Sequence, residues 1–177
     1  MPPEVRILGI SLAAFTHLHV ALSIMGIFAG LIVLLGLLGS EELPAVIALF
    51  VLTTTLTSLT GFLFPFHGVT PGIVIGVLSL LVLLAAILAR YTFHYSGPWR
   101  ATYVVTAILA LWFNVFIFIV QSFEKIPSLH AMAPTATESP FKITQLVVLA
   151  TFIVLGIRAV RKFHPAPEAP EEGVITA

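Results

Sequence analysis

Six histidines stand among few other ionisable groups in this chain, which has no cysteine and whose eight acidic residues are all glutamate. Neutral imidazole is a common ligand for copper, zinc and haem iron, so where these histidines fall is the first chemical question. His17 and His19 begin a long apolar run, His67 follows a second run, and His130 lies in the longest connection. His94 and His164 fall near the other ends of the runs. If His19, His67 and His130 converge, they are candidate ligands for a transition metal, and His19 with His67 for a haem b. His19 is the best placed, because His19, Ser23, Gly26 and Gly30 follow i, i+4, i+7 and i+11 and share a helix face of small residues. His17 points about 200° away and serves a different direction. Against this stands the ordinary behaviour of histidine at a membrane edge, where it bonds to headgroups or loop carbonyls. An HxH pair recurs by chance, there is no HExxH, and His67 sits beyond Pro65, outside its apolar run.

Other polar side chains lie inside the runs. Thr53, Thr57 and Thr60 occupy one face of the second, with Thr54, Thr55 and Ser58 beside them. Asn114 and Gln121, seven apart, lie nearly on one face of the fourth. In hydrocarbon an unpaired polar group costs several kcal/mol, so these groups are expected in the interior. They either line a polar path or bond to their own helix and let neighbours approach closely. The second reading is favoured, since hydroxyls are common at membrane helix contacts. No carboxylate falls deep in a run, which argues against a proton or ion relay. With no aspartate a Ser-His-Asp triad is excluded, and no GxSxG is present. Glu124 and Glu138 read as solvated or paired with Lys125 and Lys142. Catalysis therefore has little support.

The elements that must position these groups are membrane helices. Only 9% of the residues are charged and 59% are hydrophobic, with a mean hydropathy of +1.11, so a water-facing surface cannot be built. A bilayer core of about 30 Å needs roughly 20 apolar residues. Spans are predicted at about 16–38, 44–64, 72–91, 101–121 and 141–160, forming an all-α, polytopic bundle within residues 1–163. Residues 7–15 either lie in the interface or extend a tilted first helix. Arg6 before an apolar run resembles a signal peptide, but the run continues to Leu38, so it is expected to be retained. Residues 164–177, rich in Pro and Glu, read as a disordered tail. The long connection 122–140 is expected to pack on the bundle mouth. Arg90, Arg100, Arg158, Arg161 and Lys162 fall on one side, against Arg6, Lys125 and Lys142. This predicts an outside N-terminus and a cytoplasmic C-terminus. GxxxG spacings at Gly26/Gly30 and Gly72/Gly76 indicate tight helix packing. Zero net charge gives no field for nucleic acid.

The segments THLHVALS (16–23), FPFHGVTPG (64–72) and LHAMAPT (129–135) resemble those of small multi-pass bacterial inner-membrane proteins to which no function is attached. The resemblance implies a bacterial inner membrane and an outward-facing first histidine pair, and it carries no catalytic residues. Two functional readings stay open. One is a non-enzymatic accessory subunit or small carrier, in contact with lipid and in a homo-oligomer or larger membrane complex. The other is a redox or metal-handling protein with a histidine-ligated haem or metal at its outer face.

Overall fold

The computed structural model describes residues 5–65, 68 and 70–165. Five helices in it are long and apolar enough to cross a membrane, with mean hydropathies from 1.6 to 2.9. They are α1 (Leu12–Gly39), α2 (Pro44–Gly61), α3 (Pro71–Ile87, reaching spanning length with the π-helical turn that continues it to Thr92), α4 (Trp99–Lys125) and α6 (Ser139–Lys162); α5 (Pro127–His130) is a single turn in the last connection. Each predicted span falls on one of the five. The protein is an all-α membrane bundle, with an N-terminal face at the start of α1 and a C-terminal face at the end of α6.

The helix boundaries follow local rules. Ser11 accepts a hydrogen bond from the Ala14 amide and starts α1. Ser40 ends that helix in a left-handed conformation, while the Glu41 amide bonds back to the Gly36 carbonyl at 2.8 Å. Pro44 and Pro71 open α2 and α3, where the missing amide hydrogen is no loss. The region 7–15 divides. Arg6–Ile7 (β1) pairs antiparallel with Ile10–Ser11 (β2), around Leu8 and Gly9 at φ 51° and 84°. Positive φ at both turn residues is the type I′ geometry that suits a two-residue hairpin. The apolar stretch is thus a hairpin up to Ser11, followed by Leu12–Phe15, which extend the first helix.

Packing is centred on α1 and α4. Helix α1 lies along α2, α3 lies along α4, and α4 also touches α1, α5 and α6. Gly30 lets α1 approach so closely that a β-carbon there would stand 2.6 Å from Leu111 and 2.8 Å from Phe50. Below this contact lies the apolar core, including Leu34, Leu37, Leu83, Val104 and Leu111. Lipid offers no hydrophobic drive between helices, so close van der Waals fit of this kind holds a membrane bundle together. Helix α6 is different: only Ala159 in it is buried, and Leu146, Val147, Ile153, Val154 and Ile157 are exposed. In the long connection, Ala133 is buried while Ile126 and Met132 are exposed. The tail from 166 onward lies outside the described residues.

Candidate functional site

His19 is held by its neighbours. Its Nδ1 lies 2.8 Å from Thr60 Oγ1 on α2. The Thr60 hydroxyl has one hydrogen, and its oxygen is 2.7 Å from the Leu56 carbonyl and 3.1 Å from that of Thr57. With that hydrogen given to its own helix, Thr60 accepts from His19. The assignment puts the proton of a neutral His19 on Nδ1 and leaves Nε2 with its lone pair. Phe64 packs edge-on to the imidazole at 5.2 Å and against Phe15 at 5.1 Å. Gly61 leaves room at Cε1, where a β-carbon would come to 3.7 Å. A cavity of about 320 Å³ at the α2–α3 corner shares Gly61 and Phe64 with this environment.

Of the other histidines expected here, His130 is exposed at the end of α5 and His17 is exposed on α1. His67 lies outside the described residues. Among the described residues, no three histidine and glutamate side chains come together as a metal site.

From His19 a seam of polar side chains runs along α2 into the bundle. Thr53, Thr54, Thr57 and Ser58 are buried. Thr53 donates to the Leu49 carbonyl at 2.7 Å, and Asn114 of α4 donates to Thr54 Oγ1 at 3.0 Å. Gly26 makes room for both: a β-carbon there would meet Thr54 Oγ1 at 3.2 Å and Asn114 Nδ2 at 3.4 Å. Thr57 Oγ1 is buried without a partner among the described residues. Gln121, expected with Asn114, is half-buried and donates to Glu124 on its own helix at 3.3 Å. The seam stops at the Gly30, Phe50 and Leu111 contact.

A bonded cluster of polar groups lies on the C-terminal face, and the sequence reasoning missed it. Arg90 pairs with Glu42 at 2.6 Å and donates to the Tyr95 hydroxyl, which donates to Glu42 at 3.1 Å. Local backbone brings them together. The end of α3 widens into a π-helical turn over Leu88–Thr92. His94, Tyr95 and Gly97 then adopt positive φ, folding Tyr95 back over Arg90. Tyr103 and Phe163 pack on Tyr95 at 5.0 and 5.6 Å. Burial pushes the Tyr95 phenol above its ordinary pKa, and the Arg90 charge opposes that shift. A signal was available. Glu42 follows α1 and Arg90 ends α3, two helices that finish on the same face of the bundle, so their charges lie near one depth.

Two more ties close this face. Arg100 donates to the Val160 and Phe163 carbonyls at 2.8 and 2.5 Å, satisfying the open end of α6. Ser40 bonds both the amide and the carbonyl of His164. On the opposite face, the Glu138 carboxylate accepts from the Thr135 hydroxyl at 2.8 Å and from the Thr135 and Thr137 amides. The hydroxyl bond, with those amides, holds Glu138 below its ordinary pKa. Among the described residues neither Glu124 nor Glu138 forms an ion pair with a lysine.

No family model, curated protein or solved structure matches the chain.

Proposed function

We propose that this chain is a non-enzymatic membrane bundle that serves as an accessory subunit of a larger assembly, with solute carriage the variant of that role. The observation that carries the reading is how its intramembrane polar groups are used. Asn114 is bonded to Thr54, Thr53 to its own helix, and Arg90 to Glu42. These groups are committed to helix contacts rather than presented to a substrate. The exposed apolar length of α6 fits a chain that meets lipid or other subunits. The basic bias at the C-terminal face supports an outside N-terminus and a cytoplasmic C-terminus, while the bacterial inner membrane rests on the resemblance of segments 16–23, 64–72 and 129–135.

The test is the species formed in the native membrane. At natural expression and in mild detergent, an accessory subunit runs as a defined complex well above the 19.1 kDa chain. Reconstituted alone, it moves no solute and turns nothing over. A monomer that transports a solute in vesicles establishes the carrier role, and turnover of any substrate overturns both.

One observation favours a second reading, a haem or transition metal held at the outer face. Histidine ligands in metal sites are commonly oriented by a hydrogen bond at the other ring nitrogen, and Thr60 bonds His19 Nδ1 in that way. Nε2 of His19 would be the ligating atom, with His67 and His130 as partners. A Soret band or stoichiometric copper or zinc in the purified protein, lost in His19→Ala, supports this reading. A colourless, metal-free preparation from cells supplied with haem and metals overturns it.

A further inference from the structure

Between α4 and α6 lies a groove of about 380 Å³, separate from the histidine mouth and the polar seam. Its walls are apolar: Ile108, Leu109 and Trp112 on α4, and Leu149, Phe152 and Gly156 on α6. At its end on the C-terminal face the lining includes a charge, Arg161. Gly156 lines this groove opposite Ile108, where a β-carbon would stand at ordinary contact distance, 3.9 Å, so a long side chain at 156 would take up room in it.

Its dimensions select an occupant. From Leu149 to Arg161 along α6 is about 18 Å at the helical rise. That is close to one leaflet of a hydrocarbon core about 30 Å thick. A groove of that length and of about 380 Å³ accommodates one extended hydrocarbon chain. The charge at the end selects further. Arg161 has no ion pair among the described residues, and Arg158 and Lys162 flank it in the last turn of α6. Arg100 is already committed to the Val160 and Phe163 carbonyls. A basic pocket between membrane helices, at the headgroup level, is where anionic lipid headgroups bind.

We propose that the α4–α6 groove binds one acyl chain of an anionic phospholipid from the leaflet on the C-terminal face, with its phosphate on Arg161. The groove joins the least buried helix to the rest of the bundle. A chain lying in it gives Phe152 and Trp112 packing partners that lipid sliding past would supply only transiently. The lipid therefore acts as a wedge that seats α6 against α4.

Trp112 reports on the groove directly, since the chain has two tryptophans and Trp99→Phe leaves Trp112 alone. The full chain carrying Trp99→Phe is reconstituted in phosphatidylcholine vesicles. Either dibrominated phosphatidylglycerol or dibrominated phosphatidylcholine is then titrated in, bromine quenching an indole it touches. The expected result is half-maximal quenching at a several-fold lower mole fraction for the anionic lipid. Arg161→Gln, a substitution at an exposed residue, abolishes that preference, and Gly156→Leu removes the tight quenching phase. Equal quenching by the two lipids means ordinary boundary contact and overturns the proposal. So does a preference unchanged in Arg161→Gln, or one shown only by a brominated free fatty acid.

Discussion

Asn114 of α4 donates its amide to the hydroxyl of Thr54 on α2 at 3.0 Å, beside the bare backbone of Gly26 on α1. Three helices meet at this one bond, and both partners are buried. In a bilayer no water waits to replace a lost partner. The bond therefore acts as a register pin for α1, α2 and α4.

Asn114→Leu and Thr54→Val are each expected to destabilise the bundle by about 1–2 kcal/mol. Their coupling in a double-mutant cycle is expected near the 0.6 kcal/mol typical of membrane side-chain bonds. Reversible unfolding in detergent micelles measures it. Strictly additive effects would show that the two side chains do not cooperate.

Gly30→Ala places a methyl group against Leu111 and Phe50. Overpacking of this kind costs about 1–3 kcal/mol. Gly39→Ala is the control, because its nearest neighbour is the flexible Glu41 side chain at 3.8 Å. It is expected to be neutral, or stabilising by up to about 1 kcal/mol through helix propensity. Thermal melting of the two variants in one detergent separates close approach from the general effect of a glycine.

Removing Arg90 strands Glu42. The pair is only partly buried, with side-chain exposures of 11% and 27%. The penalty of breaking a fully buried pair is therefore discounted to about 1–3 kcal/mol. Arg90→Met is expected to melt lower than Arg90→Met combined with Glu42→Gln, since the second change removes the uncompensated charge. A double variant no more stable than the single one would sink this account.

Alkaline pH should loosen the same cluster. The Tyr95 pKa is raised in the folded state, so its contribution is fully present below the unfolded value of about 10. It is lost as pH climbs past that value toward the folded one. Melting temperature is expected to hold from about pH 8 to about 10 and then fall. In Tyr95→Phe the fall should be shallower. An identical slope in the variant would show that other groups carry it.

Much of the fold was legible because hydropathy and length are properties of the chain itself. Five apolar runs and the Gly26/Gly30 spacing act along the chain itself, and each helix forms where they point. Local patterns do not report which polar atoms meet. Arg90 read only as a topology charge. Its partnership with Tyr95 and Glu42 depends on a π-helical turn and a reversal at His94, Tyr95 and Gly97, joining residues from two connections.

The candidate site divides in the same way. The i, i+4, i+7 spacing placed His19 on the face of Gly26 and Gly30 and marked Thr53, Thr57 and Thr60 as one stripe. The sequence by itself therefore determined a membrane bundle with a histidine at one mouth and hydroxyls beneath it. Only the tertiary structure decided that Thr60 bonds His19, that Asn114 finds Thr54, and that a groove between α4 and α6 ends at Arg161. The physical reason is range. Transfer of apolar side chains into lipid is settled residue by residue along the chain, whereas a hydrogen bond or cavity wall exists only once two distant helices take one register.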